Sequence, residues 1–174
     1  MKKILCLVLA LMLAMSMAAC GGEGDPTTAP TTGGSKEPTP ATNGYKFSYK
    51  GTEIVMHADA APILAALGEP KKYTEETSCA FDGKDKTYFF GSFYLQTYPI
   101  GEKDYVYAVW FADDSVTTNE GVYVGMTQKE VEAAYGTAGF NGSNAFIMIK
   151  DATRLTVILT EGKVSSIQYD AVVE

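Results

Sequence analysis

Apolar residues recur at intervals of three and four in two short segments that lie 68 residues apart in the chain. Each segment begins with a residue, Asp59 or Thr127, whose side-chain oxygen can accept a hydrogen bond from a free amide of a first helical turn. Each ends with a glycine, Gly68 or Gly136, as expected of a helix C-cap. The periodicity and the end signals together predict two short capped helices.

Runs rich in aromatic and β-branched residues follow each segment and predict antiparallel strands, because such residues fit a pleated, half-buried surface. The predicted strands are 77–82, 86–90, 93–98 and 105–111 after the first helix, and 145–149, 155–160 and 163–169 after the second. The pattern predicts an α+β fold of two similar halves, about 50–115 and 116–174. Each half is a short capped helix followed by an antiparallel strand meander, with the helices on one face of the sheet.

Aromatic residues are concentrated between Tyr88 and Phe111. Strict alternation along strand 105–111 gives both of its faces apolar side chains, although helices would cover only one face. The second face is then either buried between the two halves or exposed, and an exposed aromatic face indicates an interaction site. The candidate binding residues on this face are Trp110, Ala108, Val106, Tyr94 and Tyr98.

The first residues have the parts of an export signal. Lys2 and Lys3 precede an uncharged stretch that ends with the small pair Ala18-Ala19, directly before Cys20. Residues 1–19 are therefore predicted to be a signal peptide, and the alternative is an uncleaved membrane anchor. The sequence around Cys20 resembles the lipobox of bacterial lipoproteins. That resemblance implies a diacylglycerol on the Cys20 sulfur, which would hold the protein on the extracytoplasmic face of the cell membrane.

A segment of low complexity follows Cys20. Of the 24 residues from Gly21 to Gly44, 16 are Gly, Thr or Pro, and none is aromatic or a large aliphatic residue. Such a segment cannot bury enough apolar surface to offset its ordering entropy. We predict a lipidated and disordered tether at 20–44 and one globular domain at 45–174.

The charge of the chain argues against nucleic-acid partners. The chain has 14 basic and 21 acidic residues, and removal of Lys2 and Lys3 with the signal leaves 12 − 21 = −9. An acidic surface repels phosphate backbones, so the expected partners are the membrane, through the Cys20 lipid, and an unknown protein, peptide or glycan.

Candidate catalytic chemistry depends on two residues, the single histidine His57 and Cys79, the only cysteine that would remain unmodified after lipidation of Cys20. Cys79 lies in a predicted strand, which favours a buried structural residue over a reactive thiol. The aspartates Asp82, Asp85, Asp113 and Asp114 lack the spacing of an EF-hand, and turns commonly contain aspartate. We therefore predict no catalytic residues, no metal site and no cofactor.

The motif at 125–131, Gly-Met-Thr-Gln-Lys-Glu-Val, continued by Tyr135-Gly136, resembles the helix motif of proteins shaped like the β-lactamase inhibitory protein. Small outer-membrane assembly lipoproteins share a similar motif. Segments 77–88 and 113–121 resemble uncharacterised lipoproteins of gut Firmicutes, a likeness that covers most of residues 50–170. These resemblances imply a tandem-repeat fold and a surface location, and they imply no activity.

Two functions from different classes are compatible with these features. The first is a non-catalytic binding or scaffold module, tethered to the membrane, that offers a sheet face to an envelope or extracellular ligand. The alternative is an enzyme or enzyme accessory that uses His57 or Cys79. Whether His57, Cys79 and an acidic residue meet in one cleft separates the two interpretations.

Overall fold

A computed structural model of the chain describes residues 36–140 and 142–173. The predicted signal peptide and Cys20 lie outside these residues. Two helices are present in the described part of the chain, α1 (Ala60–Leu67) and α2 (Gln128–Tyr135). Neither of them, nor any other helix among the described residues, has the length and apolar character needed to cross a bilayer.

Both helices have the predicted ends. The Asp59 carboxylate accepts a hydrogen bond from the Ala61 amide, 3.0 Å away, at the start of α1. Thr127 and Glu130 form a capping box at the start of α2, with the Thr127 amide 2.7 Å from Glu130 Oε2. Gly68 and Gly136 follow the helices with positive φ angles of 79° and 80°, which a glycine adopts without steric cost.

Nine strands account for most of the regular structure. They are β1 (Phe47–Tyr49), β2 (Thr52–Ile54), β3 (Lys72–Thr77), β4 (Lys84–Phe89), β5 (Phe93–Ile100), β6 (Lys103–Phe111), β7 (Ala145–Lys150), β8 (Thr153–Thr160) and β9 (Lys163–Ala171). The first two form a hairpin of their own. The other seven form one antiparallel sheet in the order β3-β4-β5-β6-β9-β8-β7, in which a short ladder between β6 and β9 joins the two groups of strands.

The predicted α+β class with helices on one face of the sheet is therefore wrong: the described residues form a predominantly β structure. Each helix is only eight residues long, and together they bury Ala60, Ile63 and Val131. The sequence pattern did not reveal the β1–β2 hairpin or β3, which add to the strand content. Polar and charged residues form β3, because an edge strand is held by its backbone ladder to β4 and needs no buried side chains.

A second correction concerns the strand predicted at 77–82: Thr77 is the last residue of β3, and residues 78–83 form the loop between β3 and β4. Ser78 Oγ accepts hydrogen bonds from the amides of Ala80 (3.4 Å) and Phe81 (3.2 Å), which stabilises a turn in place of an extended strand. Cys79 is consequently exposed, and the prediction of a buried structural cysteine is wrong.

The core lies against one face of the seven-stranded sheet, here called the inner face. Leu95, Val109, Ile167 and Leu155 contribute to it from four neighbouring strands, and each is completely buried. Phe47 of the hairpin packs on this face, with its ring centroid 5.0 Å from that of Phe93. Strands therefore supply most of the buried apolar surface.

Residues before Tyr45 also pack on the domain. Ala41 is 1% exposed and belongs to the core, and its amide donates to the Met56 carbonyl oxygen over 2.9 Å. The Glu37 carboxylate lies 2.8 Å from Lys103 Nζ, and this contact lowers the pKa of Glu37. Ordered contacts thus begin within the segment that composition alone assigns to the tether.

A β-bulge changes which side chains of β6 share a face. The pairing register between β5 and β6 shifts at Gln96 and Thr97, so that Gln96 lies opposite Ala108 and Thr97 lies opposite Val106. The extra residue in β6 is Tyr107. Strict alternation is therefore broken, and Val106 is directed into the core, where it is completely buried.

Candidate binding surface

Three aromatic side chains lie in register on the face of the sheet opposite the core, here called the outer face. Phe89 of β4 is opposite Tyr94 of β5, and Tyr94 is opposite Trp110 of β6. All three are half-buried. We call these residues the aromatic row. They keep accessible surface because the inner face, and not this one, packs against the hairpin and the core.

The rings of the aromatic row stack on one another. The ring centroids of Phe89 and Tyr94 are 4.5 Å apart, and those of Tyr94 and Trp110 are 5.0 Å apart with planes only 10° from parallel. These separations match the spacing of about 4.8 Å between neighbouring strands, so the rings stand upright on the sheet. Tyr94 therefore covers one face of the Trp110 indole, and β9 is the next strand on the other side of Trp110.

Polar side chains continue the row beyond Trp110. Gln168 of β9 lies opposite Trp110, and Thr156 of β8 lies opposite Gln168. In the adjacent row Asp170 lies opposite Arg154, and Gln168 Nε2 donates to Asp170 Oδ1 over 2.6 Å. The Trp110 indole therefore lies beside amide, hydroxyl and charged groups. An apolar ring next to a few polar groups is the usual composition of a specific recognition site.

The five predicted binding residues do not all lie on the accessible surface. Tyr94 and Trp110 belong to the aromatic row. Ala108 is on the outer face and is 1% exposed, whereas Val106 is in the core because of the bulge. Tyr98 is 3% exposed, and its hydroxyl group is held by His57.

Sequence reasoning missed two residues of this surface, Phe89 and Gln168. Phe89 lies within a predicted strand, but its pairing with Tyr94 depends on the register between β4 and β5. Gln168 lies within another predicted strand, and no local signal indicates that β9 would pair with β6. Both omissions concern long-range strand pairing.

His57 has a structural environment. Its Nε2 atom lies 3.2 Å from the Val172 carbonyl oxygen, and its Nδ1 atom lies 2.8 Å from the Tyr98 hydroxyl. Since a carbonyl oxygen only accepts, Nε2 carries the hydrogen, and Nδ1 accepts from Tyr98. Burial lowers the pKa of His57, an effect that the bond to Val172 partly opposes, while burial raises the pKa of Tyr98 to about 12.

Cys79 and His57 line different cavities. Cys79 borders a cavity of about 170 Å³ together with Asp85 and Tyr107, whereas His57 borders a neighbouring cavity with Glu37 and Val172. The side chains of Phe81 and Tyr98 line both, so they stand between the two. Both ring nitrogens of His57 already have partners within the protein, and the geometry does not form a Cys-His pair.

The four aspartates at 82, 85, 113 and 114, whose oxygens could bind calcium, form no metal cluster among the described residues. Asp113 accepts from the amide of Ser115 over 2.9 Å and thereby stabilises its own turn. Within residues 36–140 and 142–173, no three His, Cys, Asp or Glu side chains come together as metal ligands would.

No family model matches the chain, and no curated protein matches its sequence. An extracellular protein containing an SCP domain from Bacillus anthracis superposes with a TM-score of 0.39 and 13% identity, over 66% of this chain and 43% of that one. A similarity this low carries no argument about fold or function.

Proposed function

We propose that the protein is a membrane-anchored, extracytoplasmic binding module without catalytic activity. The aromatic row is the observation that carries this proposal. Three stacked rings remain only half-buried on a sheet face, although large aromatic side chains gain free energy by burial, and grouped apolar surface of this kind is typical of interaction sites. Tryptophan and tyrosine are also the residue types most enriched at binding hot spots.

The surroundings of Trp110 indicate the chemistry of the ligand. The accessible part of the Trp110 ring can contact a flat apolar surface, while Gln168 and Asp170 offer amide and carboxylate groups beside it. A ligand that combines a flat face with hydroxyl or amide groups can contact the ring and bond to these polar groups at the same time. Sugar rings of an envelope or extracellular glycan have this combination. A peptide or protein segment with an exposed ring is the other class of partner.

The single tryptophan provides a direct test. Trp110 is the only tryptophan in the chain, so its fluorescence reports on this surface alone. We expect soluble cell-wall glycan fragments to shift the emission of Trp110 and to protect it from acrylamide quenching. Peptide fragments of the same envelope are titrated in parallel, and a response to peptides only would assign the surface to a protein partner.

Two tyrosine variants separate binding from general effects. Tyr94→Ala removes a ring of the aromatic row and should weaken the fluorescence response by about tenfold or more. Tyr73→Ala is the matched control, because Tyr73 is 47% exposed on edge strand β3 and lies outside the row. Equal affinities of the two variants, or the absence of any response from both ligand panels, would refute the binding proposal.

Anchoring is tested independently through Cys20, the residue for the proposed lipid. The Cys20→Ser variant should appear in the culture medium or remain as an unprocessed precursor, because the serine hydroxyl cannot take the place of the lipidated thiol. Fractionation and mass spectrometry of both forms provide the measurement. A processed Ser variant that stays on the membrane like the parent protein would contradict the anchoring.

A further inference from the structure

The cavity that Cys79 borders has an unusual lining. Phe81, Tyr98 and Tyr107 contribute three aromatic rings, and Asp85 contributes a carboxylate. We call this space, of about 170 Å³, the Asp85 cavity. It lies away from the aromatic row. The loop between β3 and β4 forms one wall of it, at one end of the outer face.

Asp85 lacks a partner within the described part of the chain. Its Oδ1 atom is buried and has no hydrogen-bond donor within reach, and the carboxylate takes part in no ion pair between described residues. A buried carboxylate oxygen without a donor is costly, so such a group indicates a missing partner.

The lysines nearest in sequence are engaged elsewhere. Lys84 pairs with Glu75, and Lys86 Nζ lies 2.6 Å from Asp104 Oδ2. In the strand register, the residue directly opposite Asp85 on β3 is Glu76, another acid, which is exposed and also unpaired among the described residues. Like charges in opposite positions repel each other, and no ion pair among the described residues neutralises the two carboxylates at this corner of the sheet.

The aromatic rings complement that charge. The Tyr98 and Tyr107 ring planes meet at 76° with centroids 6.0 Å apart, and the Phe81 ring lies 4.7 Å from that of Tyr98. The hydrogen bond from Tyr98 to His57 fixes one wall of this corner. Aromatic faces attract cations, and the attraction is strongest when the cation has shed its water.

From these features we propose that the Asp85 cavity binds an organic ammonium ion. The carboxylate of Asp85 supplies the counter-charge, and the rings of Tyr98, Tyr107 and Phe81 contact the alkyl groups around the nitrogen. At about 30 Å³ for each water-sized unit, the volume corresponds to roughly five or six heavy atoms, the size of a trimethylammonium head or the end of a lysine side chain. A quaternary amine and a primary amine share this chemistry.

The test compares ligands that differ in charge alone. Choline and its neutral isostere 3,3-dimethylbutan-1-ol are titrated into the full chain, purified in a non-ionic detergent, by isothermal titration calorimetry at low ionic strength. We expect choline to bind about tenfold or more tightly than the alcohol. Butylammonium, a primary amine, is the third ligand in the comparison. If choline binds more tightly than butylammonium, the natural ligand is a quaternary amine, and if butylammonium binds more tightly, it is a primary amine.

Variants locate the site. Asp85→Asn keeps the shape of the side chain and should weaken ammonium binding by about tenfold, and Tyr107→Leu should weaken it through loss of a ring. Asp82→Asn is the matched control, since it removes the same charge from an exposed turn residue outside the cavity. Thermal unfolding of each variant establishes that it is folded.

Cys79 offers a second readout that does not depend on calorimetry. It borders the cavity, so a bound ammonium ion should slow its alkylation by iodoacetamide, measured at the Cys79 peptide by mass spectrometry. Protection by choline should disappear in Asp85→Asn and persist in Asp82→Asn. Equal affinity for choline and the neutral alcohol, or unchanged ammonium binding by Asp85→Asn, would overturn the proposal. Either result leaves the fluorescence of Trp110 and the proposed function of the aromatic row unaffected.

Discussion

The two faces of the seven-stranded sheet are built from the same strands and bury the same residue types to different degrees. Ile167 on the inner face is completely buried, whereas Ile149 on the outer face is 59% exposed. Tyr169 on the inner face is completely buried as well, and Tyr94 on the outer face is only half-buried. An apolar residue at an alternating position in a strand therefore does not by itself show which face is covered.

The covering of each face also determines whether its polar groups are buried or accessible to solvent. Burial raises the pKa of the Tyr169 hydroxyl, which keeps this tyrosine neutral in the core. The outer face instead holds its polar groups at the surface, where Gln168 and Asp170 bond to each other and remain half-exposed. The inner face thus holds the core, and the outer face keeps polar groups accessible to solvent.

The two faces should differ most in the loss of unfolding free energy that an isoleucine-to-alanine substitution causes on each. Ile167→Ala should lower the free energy of unfolding by about 2–5 kcal/mol, because it leaves a cavity in the core. Ile149→Ala should change it by no more than about 0.5 kcal/mol, as at ordinary surface positions. Urea unfolding measures both. Similar losses for the two variants would mean that the outer face is covered as well.

Removal of the first described residues tests how far the inner core extends along the chain. A chain that starts at Tyr45 loses the buried methyl group of Ala41 and its hydrogen bond to Met56, which together contribute about 2 kcal/mol. A chain that starts at Lys36 keeps both and serves as the control. Equal unfolding free energies would show that residues 36–44 add nothing to the core.

Trp110→Ala should have an intermediate effect on stability. The residue is half-buried and stacks on Tyr94, so its removal should cost about 1–2 kcal/mol, less than the loss of a core aromatic. Denaturant unfolding gives the value, followed through tyrosine fluorescence because the tryptophan is absent. A loss of about 3–5 kcal/mol would place Trp110 energetically with the inner face and contradict a docking role.

Acid should weaken the fold through His57, which is buried and bonded to Tyr98 and to the Val172 carbonyl oxygen. Burial lowers the pKa of His57 in the folded state, so the unfolded state binds more protons, and stability falls as the pH drops below about 6.5. One proton limits this slope to about 1.4 kcal/mol per pH unit. His57→Asn, a type tolerated at the positive φ of 63°, should remove this part of the pH dependence. Parallel stability profiles for both proteins between pH 5 and 7.5 would exclude it.

Local signals predicted local structure well. The N-cap residues, the capping box of Thr127 and Glu130, and the terminal glycines identified both helices, because each signal acts within a few residues. Most strands were also identified. Segment 77–82 was misassigned because its apolar residues suggested a strand, while the hydrogen bonds of Ser78 Oγ favour a turn.

The candidate surface could be predicted only in part. Sequence alone indicated that Tyr94 and Trp110 lie on strands rich in aromatic residues. It also grouped Val106 with them, and the bulge that moves Val106 into the core arises from the pairing of β5 with β6. The Asp85 cavity had no sequence signal, because its walls come from a loop, from three strands and from Val173 after β9.

By itself, the sequence determined the helix ends, most of the strands, the acidic charge and the aromatic richness of residues 88–111. These properties depend on neighbours within a few residues or on composition alone. Tertiary structure decided that all seven strands form one sheet, which face is covered, and which side chains remain accessible. Such features depend on the register and order of strands far apart in the chain, which local propensity does not encode.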